Sequence, residues 1–449
     1  MISMMLKVLL MILLSGFSFS AGPAQVWASP ATQRITLSNG LNLIVAERNQ
    51  LPTIHIQVLV RAGASLDQAD TRGLANLTAE LLPQGTLNRT ATRISRDIES
   101  VGGALSSATD LDYATIGLSV LKKDLALGLD LLADILLHPV FDQQEIERKV
   151  TELKARLQRM DEEPRQIARL AFDKNLFGNH PYAYPIEGSL ETLPALTHNR
   201  IKQFYETYYR PNNSILVIVG DVHQEEASRL IQAHLGGWKP GPISPPLPAP
   251  APELTKPVII KIDRPISQAN LVWGHEGVSR SNPDFYALQV MNYILGGGGF
   301  VSRLMDSIRD NLGLTYGIYS HFEARQQPGS FQISLQTKNQ KANQAISEVQ
   351  KELKKFLDQG ITPTELAEAK AYLTGSFPLK MDTNGKLVQL LTAMEFYGLG
   401  LDYPEKFPGL INRVTAEEVL RVARKYLHPD RFLLVVVGNQ KEINLKESW

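Results

Sequence analysis

The chain has 449 residues, 43% of them hydrophobic, with lysine plus arginine equal to aspartate plus glutamate at 46 each. That length exceeds one ordinary core and suits two domains of about 200 residues each. The charge balance, with no basic cluster on one face, gives no electrostatic case for nucleic acid. The absence of cysteine excludes disulfides, thiolate catalysis and cysteine-ligated metal.

Near the start, Lys7 precedes an apolar run from Val8 to Phe19, and Val26-Trp27-Ala28 offers small residues at a cleavage spacing. Residues 1–28 therefore read as an export signal, and the protein is expected in the periplasm or outside the cell. Ser15 and Gly16 interrupt the run, which falls short of the ~20 apolar residues that span a bilayer, so no stable membrane span is expected after cleavage.

Beyond the signal, Ile35 to Val45 alternates around Asn39-Gly40, a hairpin signal. Ile54, Ile56, Val58 and Val60 alternate with His55, Gln57 and Leu59, which predicts a strand with a buried face. Leu121 to Leu137 and Ile146 to Met160 show helical periodicity, the second with Ile146, Val150, Leu153, Leu157 and Met160 on one stripe. From Lys239 to Glu253 proline recurs so often that neither a helix nor a ladder can continue, and a semi-rigid linker is expected.

The halves on either side of this linker repeat one another. Tyr208, Pro211, Ser214 to Val219 and Gly220 match Tyr426, Pro429, Phe432 to Val437 and Gly438 at an offset of 218, and Thr197 recurs as Thr415. Phe141 to Ile146 matches Ile361 to Leu366 at an offset of 220, both segments reading as capped helix starts. The expected architecture is two copies of one α+β domain, residues 31–238 and 255–449 joined by 239–254, each a mainly antiparallel sheet packed with helices.

Gly73 to Thr86 reads Gly-Leu-Ala-Asn-Leu-Thr-Ala-Glu-Leu-Leu-Pro-Gln-Gly-Thr. It resembles the zinc helix of the pitrilysin and mitochondrial processing peptidase family of inverted-zincin metallopeptidases, Gly-x-Ala-His-x-x-Glu-His followed by a Gly-Thr pair. Asn39-Gly40-Leu41, Arg61-Ala62-Gly63-Ala64, His180-Pro181-Tyr182 and Tyr209 to Asn213 are similar to further family elements, so the resemblance covers the mature chain and implies half of a clam-like chamber. The family's two histidine ligands fall on Asn76 and Glu80, its general base on Ala79, and its third ligand on Arg156. Lys149 occupies an acidic position one face earlier on the same helix. Zinc needs imidazole, thiolate or carboxylate ligands, and a guanidinium at a ligand position opposes a dication outright. By themselves Arg156 and Lys149 read as a solvated helix face. Asn76 and Glu80, at i and i+4, are expected to hydrogen-bond within their helix or to a neighbour.

The second copy departs from this pattern of loss. Gly296, Gly297, Gly298 and Gly299 form a glycine run, and Arg309 precedes Tyr316 by seven residues. The resemblance implies that such a pair faces the zinc site across the chamber, where both side chains can donate to a peptide carbonyl or its oxyanion. It also implies that the glycine run is a flexible, peptide-contacting loop. Arg309 near a helix end could instead serve the helix dipole, and Tyr316 could be half-buried filler.

The expectation is a noncatalytic subunit of an exported zinc peptidase. It binds no cofactor itself and supplies Arg309 and Tyr316 to a homologous partner that has an intact His-x-x-Glu-His helix, holds the zinc and cleaves unfolded peptides. A peptide-binding or assembly protein with no part in hydrolysis is the alternative, and an unorthodox metalloenzyme acting alone is a third reading.

Overall fold

The computed structural model describes residues 31–244 and 251–446. The expected export signal and residues 245–250 of the proline-rich segment fall outside them. Among the described residues, the period-two segments form eleven strands in two sheets. The first contains β1 (Thr32–Thr36), β2 (Asn42–Glu47), β3 (Thr53–Val60), β4 (Ala104–Thr109), β5 (Ala114–Leu121) and β6 (Ser214–Gly220), in the order β1-β2-β6-β3-β5-β4. The second contains β7 (Val258–Asp263), β8 (Gln268–Glu276), β9 (Thr315–Phe322), β10 (Ser330–Lys338) and β11 (Leu433–Gly438), in the order β7-β11-β8-β10-β9. Apart from the extra β1, the two orders coincide strand for strand. Each sheet has one parallel pairing, β2 with β6 and β7 with β11, and its other pairings are antiparallel.

In the first half the helices are α1 (Leu74–Leu81), α2 (Ala91–Ser100), α3 (Leu125–Leu137), α4 (Gln143–Glu162), α5 (Pro164–Phe177), α6 (His198–Tyr208) and α7 (Gln224–Leu235). In the second they are α8 (Phe285–Asn292), α9 (Ala342–Gln359), α10 (Pro363–Ser376), α11 (Asn384–Phe396), α12 (Tyr403–Asn412), α13 (Ala416–Tyr426) and the short α14 (Gln440–Ile443). α3 starts four residues later than its periodicity suggests, because Leu121 still pairs with Thr53 in the ladder and Lys122–Asp124 form a separate turn. The helix starts at Asp142 and Thr362 are capped by their side chains, and Thr362 and Thr415 complete capping boxes with Glu365 and Glu418. Thr197 has the extended backbone of a cap but makes no capping bond.

The central strands β6 and β11 are buried along their whole length, as continuous runs of branched aliphatic residues require. In β6 the even-numbered Leu216 and Ile218 pack into the first half's core, whereas Ile215, Val217 and Val219 join the core that contains Leu387, Val388, Leu391 and Met394 of α11. In β11 the relation is reversed: Leu433, Val435 and Val437 pack with Ala168, Phe172 and Leu176 of α5. Each half thus lays one helix on the other half's sheet, and the two helices start at Pro164 and Asn384, the offset of 220 already visible in the repeat. Burying each large side chain in this exchange stabilises by about 1.5–3 kcal/mol, so the two halves share their cores. The exchanged helices cover the central strands and leave the outward strands β4–β5 and β9–β10 beside an open face.

Candidate functional site

α1 is set at its start by two features of the chain. Gly73 adopts a left-handed conformation (φ 96°), and a Cβ there would lie 2.6 Å from the carbonyl oxygen of Glu187, so glycine is required. Both carboxylate oxygens of Asp67 accept backbone N–H groups, from Gly73 at 2.8 Å and Ala75 at 2.9 Å, supplying acceptors to donors otherwise orphaned at the helix start. From this helix Glu80 reaches Lys149 and Arg156 of α4. Asn76 and Ala79 are buried.

Asn76 Nδ2 donates to Glu80 Oε1 at 3.2 Å, as the i,i+4 spacing suggested. Arg156 Nη1 donates to the same oxygen at 2.9 Å, and Lys149 Nζ stands 3.6 Å from the other. The expectation of a solvated face for Arg156 and Lys149 is corrected: both turn inward to Glu80, and Lys149 also reaches Glu152 at 3.1 Å. A carboxylate between two cations is electrostatically complete without a metal. The residues present do not fit zinc: the third ligand position holds a cation, Asn76 is a neutral amide, and Ala79 has no proton to exchange. Among the described residues, no three His, Asp or Glu side chains cluster as metal ligands would.

Arg309 and Tyr316 are brought together on the second half. Arg309 lies on a wide helical turn, Met305–Asn311, pairs with Asp310 and sits 4.8 Å over the ring of Phe300. Tyr316, on the edge strand β9, is 90% exposed, so it is not half-buried filler. Both line one cavity of about 520 Å³, and Tyr316 also borders a second of about 530 Å³ under α5.

The glycine run is not the expected loop. Tyr293–Gly297 continue α8 in another wide turn, closed by Gly298 N–H donating to Tyr293 O at 2.8 Å. Gly296 is buried against β9, where a Cβ would lie 2.5 Å from Ser320 Oγ, and Gly297 and Gly298 are similarly crowded by Asn292 and Tyr293. Only Gly299 has both a positive φ (62°) and open space. Three of these glycines therefore answer to close packing.

Between the two sites runs a third cavity of about 370 Å³, bordered by Arg156, Asp173, Tyr182 and Arg325. Arg169 and Glu323 border both this cavity and the one beside Tyr316. The third cavity, bordered by Arg156, the partner of Glu80, therefore shares a wall with its neighbour at Tyr316. Its walls join the halves: Arg325 pairs with Asp110 and with Glu323, the Gln326 N–H donates to Asp112 at 3.1 Å, and Tyr182 Oη donates to Asp112 at 2.5 Å. Burial and the neighbouring Asp112 hold the Tyr182 hydroxyl protonated well above its ordinary range. Burial pushes the Asp173 carboxyl up to about 7, against the pull of Arg169. Of this network only Tyr182 was singled out in the sequence, as part of the His-Pro-Tyr element; the contacts themselves join charged and polar residues of separate elements.

The first half matches the family model for Insulinase (Peptidase family M16) over residues 43–189, and residues 195–373 match the model for the Peptidase M16 inactive domain. The fold superposes on a crystal structure of a peptidase M16 inactive domain from Pseudomonas fluorescens with a TM-score of 0.85 and 30% identity, covering 91% of this chain and 98% of that one. The chain belongs to peptidase family M16. This M16 chain is also similar to a Helicobacter pylori protein named non-peptidase homolog YmxG, 26% identical over 402 residues, covering 89% of this chain and 92% of the relative. A Bacillus subtilis protein named as the uncharacterized zinc protease YmxG is 24% identical over 411 residues, covering 90% and 98%. With the inactive-domain match and its ligand positions replaced, this M16 chain is an inactive member of the family.

Proposed function

We propose that the protein is the noncatalytic subunit of an exported, heteromeric zinc peptidase. A homologous partner with an intact His-x-x-Glu-His helix holds the zinc and the attacking water, and this chain supplies Arg309, Tyr316 and part of the substrate-binding wall. The observation that carries the reading is the contrast between the two sites. Glu80 is neutralised by Arg156 and Lys149 where ligands would stand, whereas the Tyr316 hydroxyl is free and exposed beside Arg309 at an open cavity. A phenol and a guanidinium so placed can donate to a peptide carbonyl and to the oxyanion that develops on it. Substrates are unfolded peptides, which can add as a strand to the free edge of a sheet.

The test is turnover of an unfolded peptide by a 1:1 mixture with a zinc-bearing family partner, compared with Arg309→Ala and Tyr316→Phe. Removing one such donor is expected to lower kcat by about 10²-fold while co-elution of the complex persists. Unchanged turnover with an intact complex would refute the catalytic role and leave the alternative, a peptide-binding or assembly protein. The engagement of Arg309 by Asp310 and Phe300 favours that alternative for the arginine alone.

A further inference from the structure

The two cavities that meet at Tyr316 carry an uneven charge, although the whole chain is neutral. Their lining carboxylates are both taken, Asp310 by Arg309 and Glu323 by Arg325. Among the described residues, no carboxylate lies within ion-pair distance of the lining cations Arg165, Lys338 and Lys341. Arg169, one helical turn beyond Arg165, donates to Gln166 Oε1 at 3.3 Å and has one carboxylate, Asp173, at 3.5 Å. The floor adds an independent sign of an absent partner. Asn270 is 5% exposed, borders the cavity under α5, and its amide Nδ2 is buried with no acceptor. A buried donor left unsatisfied costs about 1–3 kcal/mol, which an oxygen ligand would remove.

We propose that this track along β9 is a subsite for peptide carboxylates, so that the protein selects acidic, extended segments. Guanidinium groups at i and i+4 of α5 bind carboxylates by charge-assisted, bidentate hydrogen bonds. Lys338 and Lys341 bind at the far end, with the exposed rings of Tyr316 and Tyr319 between. The eight residues of β9 extend over about 26 Å, enough for a segment of seven or eight residues. The inference deepens the function proposed above by naming its substrate class. Its test needs no partner and no hydrolysis, so either can fail alone.

The experiment is fluorescence anisotropy on the purified chain, with an end-labelled octapeptide of alternating Glu and Ser. The comparisons are its Glu→Gln counterpart, both peptides as free acid and as C-terminal amide, and a single-stranded oligonucleotide of similar length. The Glu peptide is expected to bind at least about tenfold more tightly than the amidated Gln peptide, weakening as salt rises. A preference that survives amidation assigns side-chain carboxylates. One that appears in the Gln peptide only as free acid assigns the terminal carboxylate, and both support the subsite. The double variant Arg165→Gln, Arg169→Gln is expected to lose most of the preference, and Arg165→Glu, Arg169→Glu to gain binding to a Lys-Ser octapeptide, with circular dichroism confirming the fold. Equal binding of Glu and amidated Gln peptides, no change in either double variant, or tighter binding of the oligonucleotide would overturn the proposal.

Discussion

Replacing Glu80 with alanine removes the acceptor for Asn76 and Arg156 and the counter-charge of Lys149, and the structure sets the size of the effect. The hydrogen bond from Arg156 at 2.9 Å would contribute about 1.5–3 kcal/mol if shielded, but Arg156 is 37% exposed, and exposed pairs give at most about 1 kcal/mol. Lys149 is better shielded but keeps Glu152 at 3.1 Å, so its loss is partial. Buried Asn76 loses its only hydrogen-bond acceptor, at about 1 kcal/mol. Together these give a destabilisation of about 2 kcal/mol, read as a lowered urea midpoint at unchanged slope. A cycle with Arg156→Ala should return a coupling of about 1 kcal/mol. Coupling below about 0.3 kcal/mol, or Glu80→Ala as stable as the wild type, would show that the ion pair does not hold α1 to α4.

Rebuilding Asn76→His, Ala79→Glu and Glu80→His is expected to bind no stoichiometric zinc while Arg156 remains, and to bind it once Arg156→Glu is added. Elemental analysis after gel filtration decides; zinc in the triple variant would contradict the electrostatic argument. Gly296→Ala should cost about 1–3 kcal/mol through its clash with Ser320, more than Gly299→Ala, whose penalty of about 1 kcal/mol is conformational only; equal costs in thermal unfolding would contradict that order. Burial holds the His275 imidazole down at about 3, with Nδ1–H donating to the Glu276 carbonyl at 2.8 Å. The folded state therefore resists a proton that the unfolded chain accepts below about 6.5. Stability from this group is complete above that pH and is lost as pH falls toward 3, by up to about 1.4 kcal/mol per unit. Because Asp173, raised to about 7, acts in the opposite sense, the readout is the wild type's margin over His275→Gln, which should shrink between pH 6.5 and 4; a constant margin would refute the assignment.

Much of the candidate site was legible because it depends on spacing within single elements. Asn76 and Glu80 were expected to bond across one helical turn, and they do. The glycine run misled because its composition suggests freedom, whereas Gly296 is required by Ser320 of β9, and Gly297 and Gly298 by Asn292 and Tyr293, one wide turn before them in the chain. Arg156 and Lys149 misled in the same way: the stripe of α4 faces the core as expected, but the flank beside it meets α1 rather than water.

The sequence by itself determined the duplication, the α+β class and the loss of zinc chemistry. Those follow from periodicity, from matching landmarks, and from residue types, an amide, an alanine and a guanidinium, that cannot complete a zinc site around the single carboxylate of Glu80. Only the tertiary structure decided what the lost site became and how the halves join. Glu80 meets Arg156 and Lys149, α5 and α11 exchange sheets, and Arg165 comes to share a cavity with Tyr316. Each is a meeting of residues far apart in the chain, set by the packing of whole elements, and no local pattern encodes which partner a charged side chain will find.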